Sequence, residues 1–209
     1  MSAVAALFGL RPIGRLDSGS LEAFRQYPIA SGYGTAIATG DIVQLVDGGT
    51  ATTIEKQSGT GDDSTAIDIV GIFLGCSYTD PNTNQKTFSQ LYPASTAASD
   101  IMAYVVDDPN VLFTIQADGA PTNTGDIYGK NTLLVQTAPN TSLKISRVAL
   151  DISELDTDPQ NPIRIIDYLG GDQGDEKGTS FPILVCKFCL LYTSPSPRDV
   201  EESRMPSSA

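Results

Sequence analysis

Short β-rich runs recur along the chain from Thr35 onward, and long stretches rich in Ala, Glu, Lys and Leu are absent. The clearest alternation is VLFTIQA, in which Val111, Phe113, Ile115 and Ala117 share one face. The opposite face is polar apart from one leucine. Side chains of a strand point alternately to its two sides, so this segment is predicted to be a half-buried β-strand.

Two other runs also predict strands. STAIDIVGIFLGCSY is apolar on both alternating faces, which is typical of a strand covered on both sides, and Gly71 and Gly75 within it indicate a bulge or a sharp bend. TAIATGDIVQLVDGGTATTIEK gives two β-rich runs around Asp47-Gly48-Gly49. Asp-Gly between such runs predicts a hairpin, because the tight turn needs positive φ at its central positions.

The alternation changes phase once within a single run. In TSLKISRVALDIS, Leu143 and Ile145 share one face, whereas Val148, Leu150 and Ile152 share the other. A slip of one residue in a continuous strand requires a bulge near 146–147 or a crossing between two packed layers.

These patterns predict an all-β fold, a compact antiparallel β-barrel or sandwich of about nine or ten short strands with an extended N-terminal arm. Residues 36–188 form the predicted β-rich body. Residues 1–35 lack a sustained period, so they are interpreted as an arm lying on this subunit or on a neighbour.

Composition narrows the possible partners. The formal net charge is −12, which argues against a nucleic-acid surface and an anionic membrane surface, since both need clustered Lys and Arg. Solubility is the simpler explanation of the acidity, with a basic patch on a partner as the alternative. No run reaches transmembrane length and the start lacks a signal-peptide pattern, so a soluble protein made in a reducing cytosol is expected.

The sequence offers no catalytic constellation. The chain has no histidine, the usual general base and the commonest transition-metal ligand, so no catalytic, cofactor or metal residue is predicted. The Gly-x-Gly at Gly32–Gly34 neither follows a predicted strand nor opens a helix, so it fails the context of a dinucleotide loop. A hydrolase that uses paired carboxylates is one functional alternative.

Acidic and thiol groups have simple structural interpretations. Asp107-Asp108, before Pro109, is interpreted as a turn in which Asp accepts backbone hydrogen bonds, and a carboxylate pair is the alternative. The loops 156–161 and 170–176 carry oxygen ligands that calcium could use, but a solvated turn is favoured. Cys76 and Cys186 lie in apolar runs and are predicted to be buried, inert thiols.

Three segments carry a resemblance to a known group of proteins. Phe8–Pro12 (FGLRP), Gly40–Val43 (GDIV) and Tyr104–Gln116 (YVVDDPNVLFTIQ) are similar to motifs of structural proteins encoded beside the major capsid gene in tailed phages, many of marine type. The resemblance covers most of residues 7–188. It implies a capsid decoration or cement protein of the virion that is β-rich, is not an enzyme, is often trimeric and binds the major capsid protein.

The resemblance also implies where a partner would be contacted. The expected contact residues lie in the N-terminal arm: Leu7, Phe8, Leu10, Arg11 and Pro12. Apolar anchors would supply affinity, with Arg11 as a polar anchor. The alternative for this segment is that it packs on its own body.

A second hypothesis belongs to a different functional class. The chain could be a carbohydrate-binding β-sandwich module, or a tail or fibre component that contacts the host surface. Coplanar loop aromatics, with Tyr33, Tyr78 and Tyr128 as candidates, would favour it.

The end of the chain has a pattern of its own. Residues 189–209, CLLYTSPSPRDVEESRMPSSA, have no hydrophobic period although they follow the strand-like FPILVCKF. Back-translation of CLLYTSPSPRD resembles a transposon-based sequencing adapter read in frame, and VEESRMPSSA fits an index followed by the flow-cell end of that adapter. The tail is therefore predicted to be non-biological and disordered, and the natural C-terminus to be missing.

Overall fold

The computed structural model describes residues 4–17, 19, 24–46, 53–60, 68–158 and 161–189. Within these residues all regular elements are strands, which confirms the all-β prediction. In chain order they are β1 (Arg11–Arg15), β2 (Arg25–Pro28), β3 (Ile37–Ala38), β4 (Ile42–Leu45), β5 (Ile54–Lys56), β6 (Gly71–Thr79), β7 (Lys86–Ser89), β8 (Leu91–Tyr92), β9 (Met102–Val106), β10 (Val111–Gln116), β11 (Asn131–Thr132), β12 (Leu134–Val135), β13 (Ala149–Leu150), β14 (Ile163–Tyr168) and β15 (Ile183–Phe188).

Two open antiparallel sheets form a sandwich-like body rather than a closed barrel. The first sheet has the order β1-β10-β15-β14-β11. The second has the order β2-β9-β6-β4-β5, and β7 also pairs with β6. The short ribbons β3-β8 and β12-β13 complete the fold.

The two strongest strand predictions are confirmed as strands. In β10, Phe113 and Ile115 are fully buried in the core of the first sheet, but Thr114 and Gln116 on the polar face are buried as well, so the expectation of a half-buried strand is wrong. In β6, Ile72 contributes to that same core, whereas Phe73 and Cys76 belong to a second core on the other side of the sheet. Strand β6 is therefore covered on both sides, and its register with β9 shifts between Phe73 and Gly75, where the bulge was expected.

The predicted hairpin and phase slip have different outcomes. Strands β4 and β5 pair antiparallel as the hairpin requires, but the turn residues Asp47–Gly49 lie outside the described residues. The continuous strand predicted over 141–153 is wrong. Residues 141–144 form a turn with Lys144 at φ 58°, and only Ala149–Leu150 is a strand.

The predicted arm lies along its own body. Strand β1 pairs with β10 at an edge of the first sheet, and β2 pairs with β9 at an edge of the second. Strands β9 and β10 are consecutive but belong to different sheets, so the Asp107–Asn110 turn carries the chain from one sheet to the other. The described strands of the arm run antiparallel to β9 and β10 and add one edge strand to each sheet.

Candidate partner-binding surface

The segment before β1 is fastened to the first sheet. Gln116 holds it at two points, because its Oε1 accepts from the Ala6 N–H at 2.8 Å and its Nε2 donates to the Val4 carbonyl at 3.3 Å. The Leu10 N–H donates to the Gly40 carbonyl at 2.9 Å. This hydrogen bond fixes the position of the N-terminal segment against the Gly40–Val43 motif.

The five predicted contact residues do not share one environment. Leu10 is fully buried in the core of its own chain, as in the alternative in which the segment packs on its own body. Leu7, Phe8 and Pro12 are half-buried, and Arg11 is exposed. The Arg11 guanidinium lies 4.2 Å from the centroid of the Phe8 ring, a cation–π contact that holds both side chains at the surface.

Sequence reasoning missed two exposed apolar residues in the same segment as candidate contacts. The register with β10 shifts between Pro12 and Gly14, so Ile13 is the extra residue of a bulge, and its side chain is exposed. Leu16, just beyond β1, is exposed as well. A bulge on an edge strand turns side chains outward and interrupts the hydrogen-bonding edge, and its signal in the sequence is only the mixed pattern of RPIGRL.

The Asp107-Asp108 pair is a structural clamp. Asp108 Oδ1 accepts from the Asn110 N–H at 2.8 Å, which confirms the turn interpretation. Its Oδ2 also lies 2.9 Å from Arg15 Nη1 at the end of β1. Asp107 Oδ2 accepts from the Tyr27 hydroxyl at 2.8 Å, in β2. The two carboxylates thus tie the edge strand of each sheet to the Asp107–Asn110 turn, which connects the two sheets.

Asp41, of the Gly40–Val43 motif, is the centre of a buried polar junction. It is fully buried, and its Oδ2 accepts from the Ala38 N–H at 2.8 Å. Its Oδ1 accepts from the Ser146 hydroxyl at 2.6 Å and from Lys56 Nζ at 2.9 Å. Lys56 Nζ also donates to the Thr137 carbonyl at 3.3 Å. Buried charges are tolerated when they are paired and hydrogen-bonded in this way.

The junction supports the N-terminal segment directly. Gly9 has φ 71°, and a Cβ placed there would lie 2.4 Å from Ser146 Cβ and 2.5 Å from the Gly40 carbonyl oxygen. The backbone at Gly9 therefore passes directly over the junction. Neither Ser146 nor Lys56 could be linked to Asp41 from the sequence, because nothing local indicates which distant segments meet.

The three aromatic residues of the carbohydrate hypothesis lie in separate environments. The Tyr33 ring packs on Tyr92 at 6.1 Å, and the Tyr128 ring packs edge-on against Tyr168 at 6.0 Å. Tyr78 is buried in the second core. They form no shared platform.

The acidic loop 170–176 is held by internal contacts. In the loop 170–176, Asp172 accepts from the Tyr128 hydroxyl at 2.9 Å and pairs with Lys177. These contacts lower the pKa of Asp172, with Lys177 as the larger cause. In the loop 156–161, residues 159 and 160 lie outside the described residues. Among the described residues, no group of three His, Cys, Asp or Glu side chains is placed to hold a metal ion.

Cys76 and Cys186 are buried, as predicted. Burial raises the pKa of the Cys76 thiol from 9.0 to about 12, and it also raises that of Cys186 well above its usual value. Since the thiolate is the reactive form, both are expected to be inert in the folded protein. Because the Cys76 pKa is raised, the stability that its protonated thiol contributes is complete below pH 9.0 and is lost as the pH rises toward about 12.

Alkylation with iodoacetamide at mildly alkaline pH, followed by peptide mass spectrometry, tests this expectation. Native protein should leave Cys76 and Cys186 unmodified, whereas half-buried Cys189 should react first. All three should react in concentrated guanidinium chloride, which serves as the control. Rapid modification of Cys76 in the native protein would contradict the buried assignment.

Comparisons with known proteins identify no relative: no family model, curated protein or solved structure matches this chain. In the described part of the chain, no helix has the length and apolar character needed to cross a membrane.

Proposed function

We propose that this chain is a structural protein of a tailed-phage particle, of the capsid-decoration class, which binds the major capsid protein on the outer shell. The observation that carries the proposal is the construction of the N-terminal edge. Leu10 fixes this edge in the core, while Phe8, Arg11, Ile13 and Leu16 remain available at the surface. The motif resemblance in the same residues supports the assignment.

The edge has the features of a docking surface. Aromatic side chains and arginine are among the residue types that supply most binding energy in protein interfaces, and this edge presents one of each in Phe8 and Arg11. The Arg15–Asp108 and Arg15–Asp17 ion pairs, at 2.9 and 2.8 Å, hold the end of β1 in place. A surface already fixed before binding loses less conformational entropy on association than a free arm would.

The fold makes single substitutions a better test of shell binding than deletion of the N-terminal segment. Deleting residues 1–15 would remove Leu10 and all of β1, so loss of binding by that truncation would report unfolding as readily as a missing contact. Single substitutions of exposed side chains keep the core intact. Leu16 and Leu143 form a matched pair, because they are 54% and 65% exposed and lie in different parts of the fold.

Leu16→Asp is expected to weaken binding to shells assembled from the co-encoded major capsid protein by roughly thirtyfold, the loss of about 2 kcal/mol that defines an interface hot spot. Arg11→Glu should also weaken it, whereas Leu143→Asp should bind like the unchanged protein. Co-sedimentation with the shells measures all three. Failure of the unchanged protein to sediment with shells, or equal binding by Leu16→Asp and Leu143→Asp, would refute the proposal.

A further inference from the structure

A groove with a volume of about 780 Å³ opens between β5 and the segment 136–141. Tyr33 and Ala36 line one end, and Ala138 and Pro139 line the opposite wall. The volume lies within the usual range for small-molecule sites, about 300–1,000 Å³. We propose that this groove binds a neutral saccharide, an activity that goes beyond attachment to a capsid.

The walls of the groove are fixed by hydrogen bonds rather than by loose loops. The Tyr33 hydroxyl accepts from the Lys56 N–H at 3.1 Å, which ties the 33–36 segment to β5. Lys56 Nζ reaches the Thr137 carbonyl at 3.3 Å, and Gln136 Nε2 donates to the Gly59 carbonyl at 3.2 Å. The opposite wall is therefore joined to the β5 side at two points, and the groove is preformed.

The charges in the groove select against anions. The lining cation, Lys56, is neutralised by Asp41 at 2.9 Å. The lining carboxylate, Glu55, accepts a hydrogen bond from Gln44 Nε2 at 2.7 Å. A phosphate or an acidic sugar would meet no unpaired positive charge among these residues, so a neutral ligand is favoured.

The polar groups offer both donors and acceptors. Gln44, Ser58 and Thr141 line the groove together with the Tyr33 hydroxyl. Gln136 Oε1 is buried in the wall without a hydrogen-bond partner among the described residues. A buried acceptor without a partner is costly, and a ligand hydroxyl entering the groove would be a suitable donor. Hydroxyl groups around an apolar ring face are the chemistry of a pyranose, and this mixed lining complements them.

Addition of a peptide strand fits the groove poorly. Strand β5 pairs with β4 on one side, and on the other Ile54 forms a parallel bridge with Ile29. The Lys56 N–H is already used by Tyr33. Strand addition needs a free row of backbone groups, and here the row is occupied.

Saturation-transfer NMR with neutral hexasaccharides of glucose, mannose, galactose and N-acetylglucosamine tests the proposal on the full chain. Ala138 is exposed and lines the groove, so Ala138→Trp should fill it without disturbing the core. Ala120, also exposed and outside the lining, provides the matched control Ala120→Trp. The unchanged protein and Ala120→Trp should bind at least one oligosaccharide, and Ala138→Trp should bind it at least tenfold more weakly.

Three results would overturn the saccharide site: no binding of any of the oligosaccharides, equal binding by the two variants, or equal loss in both. If Ala138→Trp does not fold, Ser58→Trp, exposed on the β5 side of the groove, replaces it. Ala138→Trp should still co-sediment with shells, so failure of the saccharide proposal is separable from failure of the capsid proposal.

Discussion

Asp41→Ala is expected to lower the free energy of unfolding by about 3–5 kcal/mol, the usual cost of removing one partner of a buried ion pair. The substitution leaves the Lys56 ammonium in a site where its side chain is 8% exposed. It also removes the acceptor of the Ser146 hydroxyl and of the Ala38 N–H. Chemical denaturation followed by circular dichroism measures the change.

A matched control separates the junction from ion pairing in general. Asp100 pairs with Lys86 at 2.9 Å, but both side chains are more than two-fifths exposed. Asp100→Ala should therefore cost much less, since solvent screens exposed pairs. Removing Lys56 as well, in Asp41→Leu with Lys56→Met, should restore much of the stability because no uncompensated charge remains. If Asp41→Ala and Asp100→Ala are equally stable, the junction has no special role.

Gly9→Ala is expected to destabilise the fold by about 2–5 kcal/mol, because it combines a strained backbone with an overpacked contact. At φ 71° the added methyl group would lie within 2.6 Å of Ser146 side-chain atoms and of the Gly40 carbonyl oxygen. Those contacts sit where the N-terminal segment crosses the Asp41 junction. The segment can accept the methyl group only by moving away, which would withdraw Leu10 from the core.

Gly32→Ala isolates the backbone contribution. Gly32 has φ 75°, almost the same as Gly9, but nothing lies within 4 Å of a Cβ built there. It should cost only the left-handed conformation, about 1–2 kcal/mol. The difference between the two variants, measured by denaturation, gives the packing contribution. Equal costs would show that Gly9 is needed only for its φ angle.

Predictions from local pattern succeeded where burial depends on the strand itself. The alternation in β10 predicted its buried face, and the double-sided apolar run of β6 predicted coverage on both sides. The apolar surroundings of Cys76 and Cys186 predicted their burial. Asp108 formed its turn through a neighbour two residues away, an interaction that sequence spacing alone can specify.

The phase slip near Ser146 shows why pattern failed elsewhere. The sequence predicted a strand with a bulge or with a crossing between two packed layers, because alternation on either side of Ser146 suggested one continuous element. In the fold, Ser146 is turned inward by its hydrogen bond to Asp41, 105 residues away in sequence, and the chain before it is a turn. A polar residue with a distant partner can outweigh the local period of its neighbours.

By itself the sequence determined the β architecture, the buried faces of the longest strands and the apolar character of the N-terminal segment. The tertiary structure decided which of those apolar residues remain free. Leu10 enters the core while Ile13 and Leu16 are exposed, although all three lie in one short segment. The physical reason is that alternation along a strand places successive side chains on opposite faces, whereas the burial of each face depends on which other strands pack over it. The same tertiary packing brings together four residues that are distant in sequence, Gly9, Asp41, Lys56 and Ser146. It also forms the groove beside them.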